Sequence, residues 1–247
     1  MNGFGRGILG LPPVVKNIIF INVLMLLAAY ASQSVFGLDL TSKLGLYFPK
    51  SEQFMPLQIV THMFMHAGFW HIFFNMYALY IFGGALEHVW GPKRFFIFYI
   101  VCGLGAAFTH ETVIAFQYHH LAQSLSPENL QIVLTEGTAY FVKGQGFIDP
   151  AMQNLQILLN TPTVGASGAI FGVLLAFGVL FPNTQLLLII PPVPIKAKYF
   201  VLIYGAIELY LAVAQPGSNI AHAAHLGGML FGYLLIRYWR RTTNTLY

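Results

Sequence analysis

The sequence predicts an all-α polytopic membrane protein, a bundle of six transmembrane helices with both termini in the cytoplasm. Three observations carry this. Charge is scarce: of 247 residues, 12 are Lys or Arg and 8 are Asp or Glu, 8% where a soluble domain holds about 25%. Apolar residues make up 57% and mean hydropathy is +0.67. The basic residues are also one-sided. With the N-terminus inside, Arg6, Lys16, Lys93, Arg94, Lys196, Lys198, Arg237, Arg240 and Arg241 fall on the cytoplasmic side, and only Lys43, Lys50 and Lys143 fall outside. This is the bias of the positive-inside rule. So little charge cannot cover a soluble fold, and the pattern excludes a disordered chain and a coiled coil. It also argues against a barrel, whose strands alternate around a polar lumen. The basic residues sit where topology requires them, so the net charge of +4 does not call for nucleic acid. The lone cysteine, Cys102, excludes an intramolecular disulfide and a cysteine zinc site.

A helix needs about 20 mostly apolar residues to cross the hydrocarbon core. Runs free of Asp, Glu, Lys and Arg, divided by turn signals, give spans at 14–35, 68–86, 94–111, 166–182, 198–214 and 220–238. The first is too long for a cleavable signal peptide, and no small-residue cleavage site follows it. Two outside loops are long. Residues 36–67 include Pro56 and a semi-apolar stretch suited to the interface. Residues 112–165 hold Glu128, Glu136 and Asp149 and have room for short surface helices such as 112–124 and 151–160. No internal repeat is evident, so 1–247 reads as one membrane domain.

Polar groups inside a membrane are costly and mark function. Three clusters stand out. In 161–172, TPTVGASGAIFG, Ser167 falls at the N-terminus of a buried helix, where unpaired N–H groups favour developing negative charge. Gly165 permits close backbone approach, and Gly168 and Gly172 form a small-residue seam. In 219–232, NIAHAAHLGGMLFG, His222 and His225 share a face beside a second seam of Ala224, Gly228 and Gly232. Two such seams would bring backbones together and His225 within reach of Ser167. In 61–76, THMFMHAGFWHIFFNM, His71 and Asn75 lie one turn apart, donors on one face that suit an oxyanion. Each cluster has a plainer reading: a packing seam, an interhelical hydrogen bond for His222, a backbone carbonyl for Asn75, a loop contact for His71. Together they supply nucleophile, base and oxyanion donors. Glu208, the one carboxylate well inside a span, reads as hydrogen-bonded structure.

With these residues in hand, the sequence resembles the rhomboid family of intramembrane serine proteases over nearly its whole length. The resemblance rests on His66, His71 and Asn75 in H-x-x-x-x-H-x-x-x-N, on G-A-S-G at Gly165 to Gly168, and on A-H-x-G-G at Ala224 to Gly228. Gly83 to Gly91, GGALEHVWG, is similar to the family's cytoplasmic turn. The resemblance implies a rhomboid-like bundle with Ser167 as nucleophile and His225 as general base and then acid. His71, Asn75 and the Ser167 N–H would hold the oxyanion, with Gly165 and His66 lining the site. Phe171 would pack on the imidazole where the family often has tyrosine. It implies a Ser–His dyad without a third acid, and Leu57-Gln58 where many members carry Trp-Arg.

The expected function is cleavage of single-span membrane proteins near the outer face, without metal or cofactor. The expected location is a bacterial inner membrane. Span five and the loop 215–219 are the expected lateral gate. Two alternatives come from other classes. One is a catalytically inactive client-binding relative. The other is a transporter or metal-binding membrane protein using His62, His66, His222 and His225.

Overall fold

The computed structural model describes residues 10–187, 193–214 and 221–242. Its longer helices are α1 (Pro13–Phe36), α2 (Phe69–Trp90), α3 (Pro92–Ser124), α4 (Pro127–Val142), α5 (Pro150–Asn160), α6 (Ser167–Leu180), α7 (Ala197–Ala214) and α8 (His222–Thr242). Each of the six predicted spans falls on one of them. By length and apolarity alone, α1, α2, α3 and α7 are able to cross a membrane. The α6 helix has 14 residues, about 21 Å at 1.5 Å per residue, shorter than the ~30 Å hydrocarbon core. The α8 helix ends in Arg240 and Arg241, which lowers its hydropathy. The start of the sixth span, residue 220, lies outside the described residues, as does the proposed gate loop 215–219.

Local chemistry sets the helix ends. Pro13 opens α1 with φ already helical, and Gly37 closes it at φ 65°. Only Val15, Ile18 and Asn22 of α1 are buried, so most of its apolar surface is left uncovered by the rest of the bundle, as suits a helix at a bundle's edge. The start of α1 is capped from a distance. Glu87, 2% exposed, accepts hydrogen bonds from Val14 N at 2.9 Å and Val15 N at 2.8 Å. A carboxylate there satisfies orphan donors and complements the helix dipole. Gly83 to Gly91, expected as a turn, is helical through Trp90, and Glu87 gives it a structural task. Within α2, Leu79–Gly83 is π-helical.

The third span was expected to stop at 111, with a separate surface helix at 112–124. Instead α3 runs unbroken for 33 residues, about 50 Å, well beyond the ~30 Å core. No Gly or Pro interrupts residues 106–126, so nothing ends the helix at the membrane edge. The α5 helix matches the expected 151–160 and is capped by Asp149, whose Oδ1 accepts from Ala151 N and Met152 N. The α4 helix was not anticipated. Val133, Met152, Leu155 and Leu159 join α4 and α5 in a second, smaller core.

The α6 helix is apolar on every side, and most of it is buried, the signature of a central helix. It packs against α3, α7 and α8. Its seam with α8 is backbone on backbone. A Cβ on Gly228 would overlap the Gly168 carbonyl, and one on Gly172 would lie 2.7 Å from Cys102 Cβ and 2.9 Å from Gly228 O. A short antiparallel pair, β1 (Gln185–Leu187) with β2 (Pro194–Lys196), lies between α6 and α7, Gln185 opposite Lys196.

The loop between α1 and α2 is held by Gln58. This side chain is fully buried. Its Oε1 accepts from Tyr47 N and Met55 N, and its Nε2 donates to Lys43 O and Gln53 O. Where many family members carry Trp-Arg, the Gln58 amide anchors this loop. Leu57 beside it is 63% exposed.

Candidate active site

Ser167 is the first residue of α6, in the turn whose N–H groups lack intrahelical partners. The segment leading to it is fastened at three points. Leu46 and Thr163 exchange backbone hydrogen bonds of 2.9 and 2.8 Å. Thr163 Oγ1 and His110 Nε2 are 2.7 Å apart. Gly165 N donates to His62 O at 2.9 Å. These tie the outside loop, α3 and the serine turn into one unit. Gly165 has φ +126°, and a Cβ there would lie 2.8 Å from His71 Cε1 and Nε2. Only glycine fits, because both the backbone conformation and the space exclude a side chain.

His225 comes from α8, 58 residues later in the chain, and its Nε2 lies 2.9 Å from Ser167 Oγ. The seam between Gly168 and Gly228 brings the two helices close enough. Phe171, one turn below the serine, stacks flat on the imidazole, with centroids 4.1 Å apart and planes at 7°. Tyr204 of α7 stacks on the far face of Phe171 at 5.4 Å and 20°. The imidazole is thus wedged against an aromatic layer reaching from α6 to α7.

One expectation is corrected here. The histidine was expected to face no third acid, yet Glu208 of α7 does face it. Its Oε2 lies 2.9 Å from His225 Nδ1 and 2.6 Å from His222 Nδ1. Glu208 is hydrogen-bonded, as expected of it, and its partners are both histidines of α8. His222 fills its plainer role as an interhelical hydrogen bonder. Sequence reasoning missed the pairing because Glu208 lies 17 residues from His225 on a different helix. The signal available was that a carboxylate buried in a span requires partners.

The other predicted residues gather less uniformly. The His71 ring abuts Gly165, and its Nδ1 lies 3.4 Å from Ala67 N. Asn75 is buried, and its Nδ2 donates to His71 O at 2.9 Å, the plainer role considered for it. His66 meets His71 edge to face at 4.9 Å between centroids. Both His66 ring nitrogens are buried without a partner among the described residues. Burial, and after it the neighbouring His71, holds the His66 pKa down to about 3. Burial lowers that of His62 as well.

The four histidines of the alternative metal reading do not form one cluster among the described residues. Among the described residues the compact set is Glu208, His222 and His225, without His62 and His66. Zinc held at about 2.0–2.2 Å keeps its ligand atoms more than about 3 Å apart. The 2.6 Å between His222 Nδ1 and Glu208 Oε2 is a hydrogen-bond distance.

Comparison with known proteins agrees with this architecture. The family model described as the Rhomboid domain matches residues 53–242. "Rhomboid protein 1, mitochondrial" of Saccharomyces cerevisiae is 31% identical over 178 residues, 72% of this chain and 40% of that protein. "Rhomboid protease AarA" of Providencia stuartii is 26% identical over 197 residues, 74% of this chain and 57% of that one. "Putative rhomboid protease YdcA" of Bacillus subtilis is 26% identical over 180 residues, 72% and 64% of the two chains. The chain therefore spans less than two thirds of the length of these relatives. A family model covering most of the sequence, and a relative at 31% identity across nearly three quarters of it, establish that this integral membrane protein belongs to the rhomboid family.

Proposed function

We propose that this protein is an intramembrane serine endopeptidase that cleaves single-span membrane proteins near the outer face of a bacterial inner membrane. The observation that carries this reading is the 2.9 Å approach of His225 Nε2 to Ser167 Oγ across a seam of glycines. The family membership and the relatives named as proteases support it.

In the proposed reaction Ser167 Oγ attacks the scissile carbonyl as its proton passes to His225 Nε2. The oxyanion forms at the start of α6, where the Ser167 N–H and the helix dipole favour negative charge. The His71 ring, packed at Gly165, and Asn75 complete the donor set. Collapse of the tetrahedral intermediate breaks the C–N bond, and His225 delivers the proton to the leaving amine. Water then attacks the acyl-enzyme as His225 takes its proton, and collapse breaks the C–Oγ ester bond, with His225 returning the proton to Ser167 Oγ and the acid product leaving. The two half-reactions use the same base in alternation, so no cofactor is needed.

Hydrolysis also needs water beneath the membrane surface. The short α6 is read as starting beneath the surface, and the segment leading to it, with the polar Thr161 and Thr163, lies beside His110 of α3 and the His62 backbone. A substrate helix satisfies its own carbonyls, so it must unwind before attack. Small or helix-breaking residues near its outer end are the expected recognition feature. The test is cleavage of a model single-span substrate by purified protein, beside Ser167→Ala and His225→Ala. Loss of cleavage in both variants, with labelling of Ser167 by a fluorophosphonate in the wild type, is expected. Unchanged cleavage by either variant at equal purity rejects the assignment. Absence of labelling and of cleavage in the wild type favours the client-binding alternative.

A further inference from the structure

We infer that Glu208 is a positioning residue for the catalytic histidine, converting the Ser–His pair into a relay in the chain order Ser167, Glu208, His225. This deepens the protease reading and rests on it. The argument begins with hydrogen-bond capacity. An ionised carboxylate oxygen accepts and cannot donate. Glu208 Oε2 lies 2.9 Å from His225 Nδ1, so that nitrogen carries the imidazole proton. Nε2 is then left with its lone pair free, directed at Ser167 Oγ 2.9 Å away. This is the tautomer a general base needs. The opposite tautomer would place a proton between Nε2 and the serine and prevent proton transfer.

The ring is oriented as well as protonated correctly. Its face is fixed by Phe171 and its Nδ1 edge by Glu208, so α6 and α7 orient the ring from outside its own helix. When Nε2 takes the serine proton, the imidazolium forms beside a buried carboxylate, and this charge is stabilised with little solvent to reorganise. Unrelated folds place serine, histidine and acid in different chain orders around the same geometry.

His222 shares the acid. Its Nδ1–H donates to the same Oε2 at 2.6 Å, which satisfies a carboxylate that would otherwise be costly in a low-dielectric interior. On a purely structural view, Glu208 is present to partner His222 and has no part in turnover. The two views differ in what they predict for the isosteric change Glu208→Gln. The amide keeps the shape and an acceptor oxygen but loses the charge, and its NH2 competes as a donor toward the imidazoles.

The experiment measures kcat and KM on the single-span substrate for the wild type, Glu208→Gln, Glu208→Asp and Ser167→Ala. It is paired with 15N NMR of the histidine imidazoles in detergent micelles. The expected result is a drop in kcat approaching about 10⁴-fold for Glu208→Gln, the scale on which a triad acid that loses its charge lowers turnover. KM is expected to stay within threefold, with activity partly restored in Glu208→Asp. In the wild type, His225 is expected as the Nδ1–H tautomer. A kcat within threefold of wild type in Glu208→Gln overturns the inference, and so does an Nε2–H tautomer of His225 in the wild type, which requires no variant to fold. A wild type that cleaves while Glu208→Gln cleaves equally sinks the inference alone. A wild type whose cleavage survives Ser167→Ala sinks the protease reading and the inference with it.

Discussion

Replacing Gly228 with alanine tests whether the glycine seam between α6 and α8 sets the geometry of the site. Gly228 lies three residues beyond His225, on the turn that faces α6. A Cβ at this position would overlap the Gly168 carbonyl, a backbone atom one residue from Ser167. No side-chain rotation relieves a clash with backbone, so the helices must part. Ordinary contact requires about 3.4 Å or more between such atoms, so the separation needed exceeds about 1 Å. Since His225 and Ser167 sit within a turn of the clash, their 2.9 Å hydrogen bond lengthens beyond hydrogen-bond range. A misplacement of about 1 Å costs about 10²-fold in rate, and overpacking of this kind destabilises by about 1–3 kcal/mol. The assay is kcat/KM on the single-span substrate, with thermal unfolding to confirm a folded population at the assay temperature. Gly205→Ala is the control. There a Cβ would meet Met229 Cε at 3.1 Å, the end of a flexible side chain, and activity within threefold of wild type is expected. Wild-type activity in Gly228→Ala would refute the claim that this close approach determines the Ser–His distance.

Three further outcomes follow from particular contacts. Glu87→Ala removes the distant cap on α1, two hydrogen bonds to a charged acceptor. Hydrogen bonds of this kind are worth about 1.5–3 kcal/mol each, so thermal unfolding should shift to lower temperature, while labelling of Ser167 below that temperature persists. Gln58→Ala leaves four backbone groups of the outer loop without their partner, a loss of roughly 1–3 kcal/mol or more, and protease nicking within residues 36–67 should accelerate. Stability should also fall on acidification. His66 has a folded pKa of about 3 against 6.5 unfolded, so between these values the unfolded chain binds the extra proton. The neutral form's contribution is present above about pH 6.5 and is lost as pH drops toward 3. Melting temperature measured from pH 7 to pH 5 should decline, and His66→Phe should flatten that slope. An unchanged slope would mean that His66 is not the group responsible.

The spans and the principal pair were legible in the residues for a physical reason. A bilayer demands about 20 apolar residues per crossing, and a polar group placed inside it stands out against that background. Hence Ser167, His225, His71 and Asn75 were visible, and so were the glycine seams. The end of α3 was misjudged because hydropathy marks where the membrane stops, while the helix ends where its backbone chemistry changes. No breaker occurs before Ser126-Pro127. The α4 helix was missed for a related reason, since its apolar face packs on α5 rather than on lipid and spells no span.

What the linear order of residues pointed to by itself was an all-α membrane bundle and the candidate residues Ser167 and His225, because these follow from transfer free energies and from short local spacings. Which carboxylate faces His225, what caps α1 and what anchors the loop between α1 and α2 were decided only by the tertiary structure. Glu208, Glu87 and Gln58 find their partners through the rotation and crossing of separate segments. That arrangement is set by the summed packing of glycine seams and aromatic layers, and no local spacing encodes it.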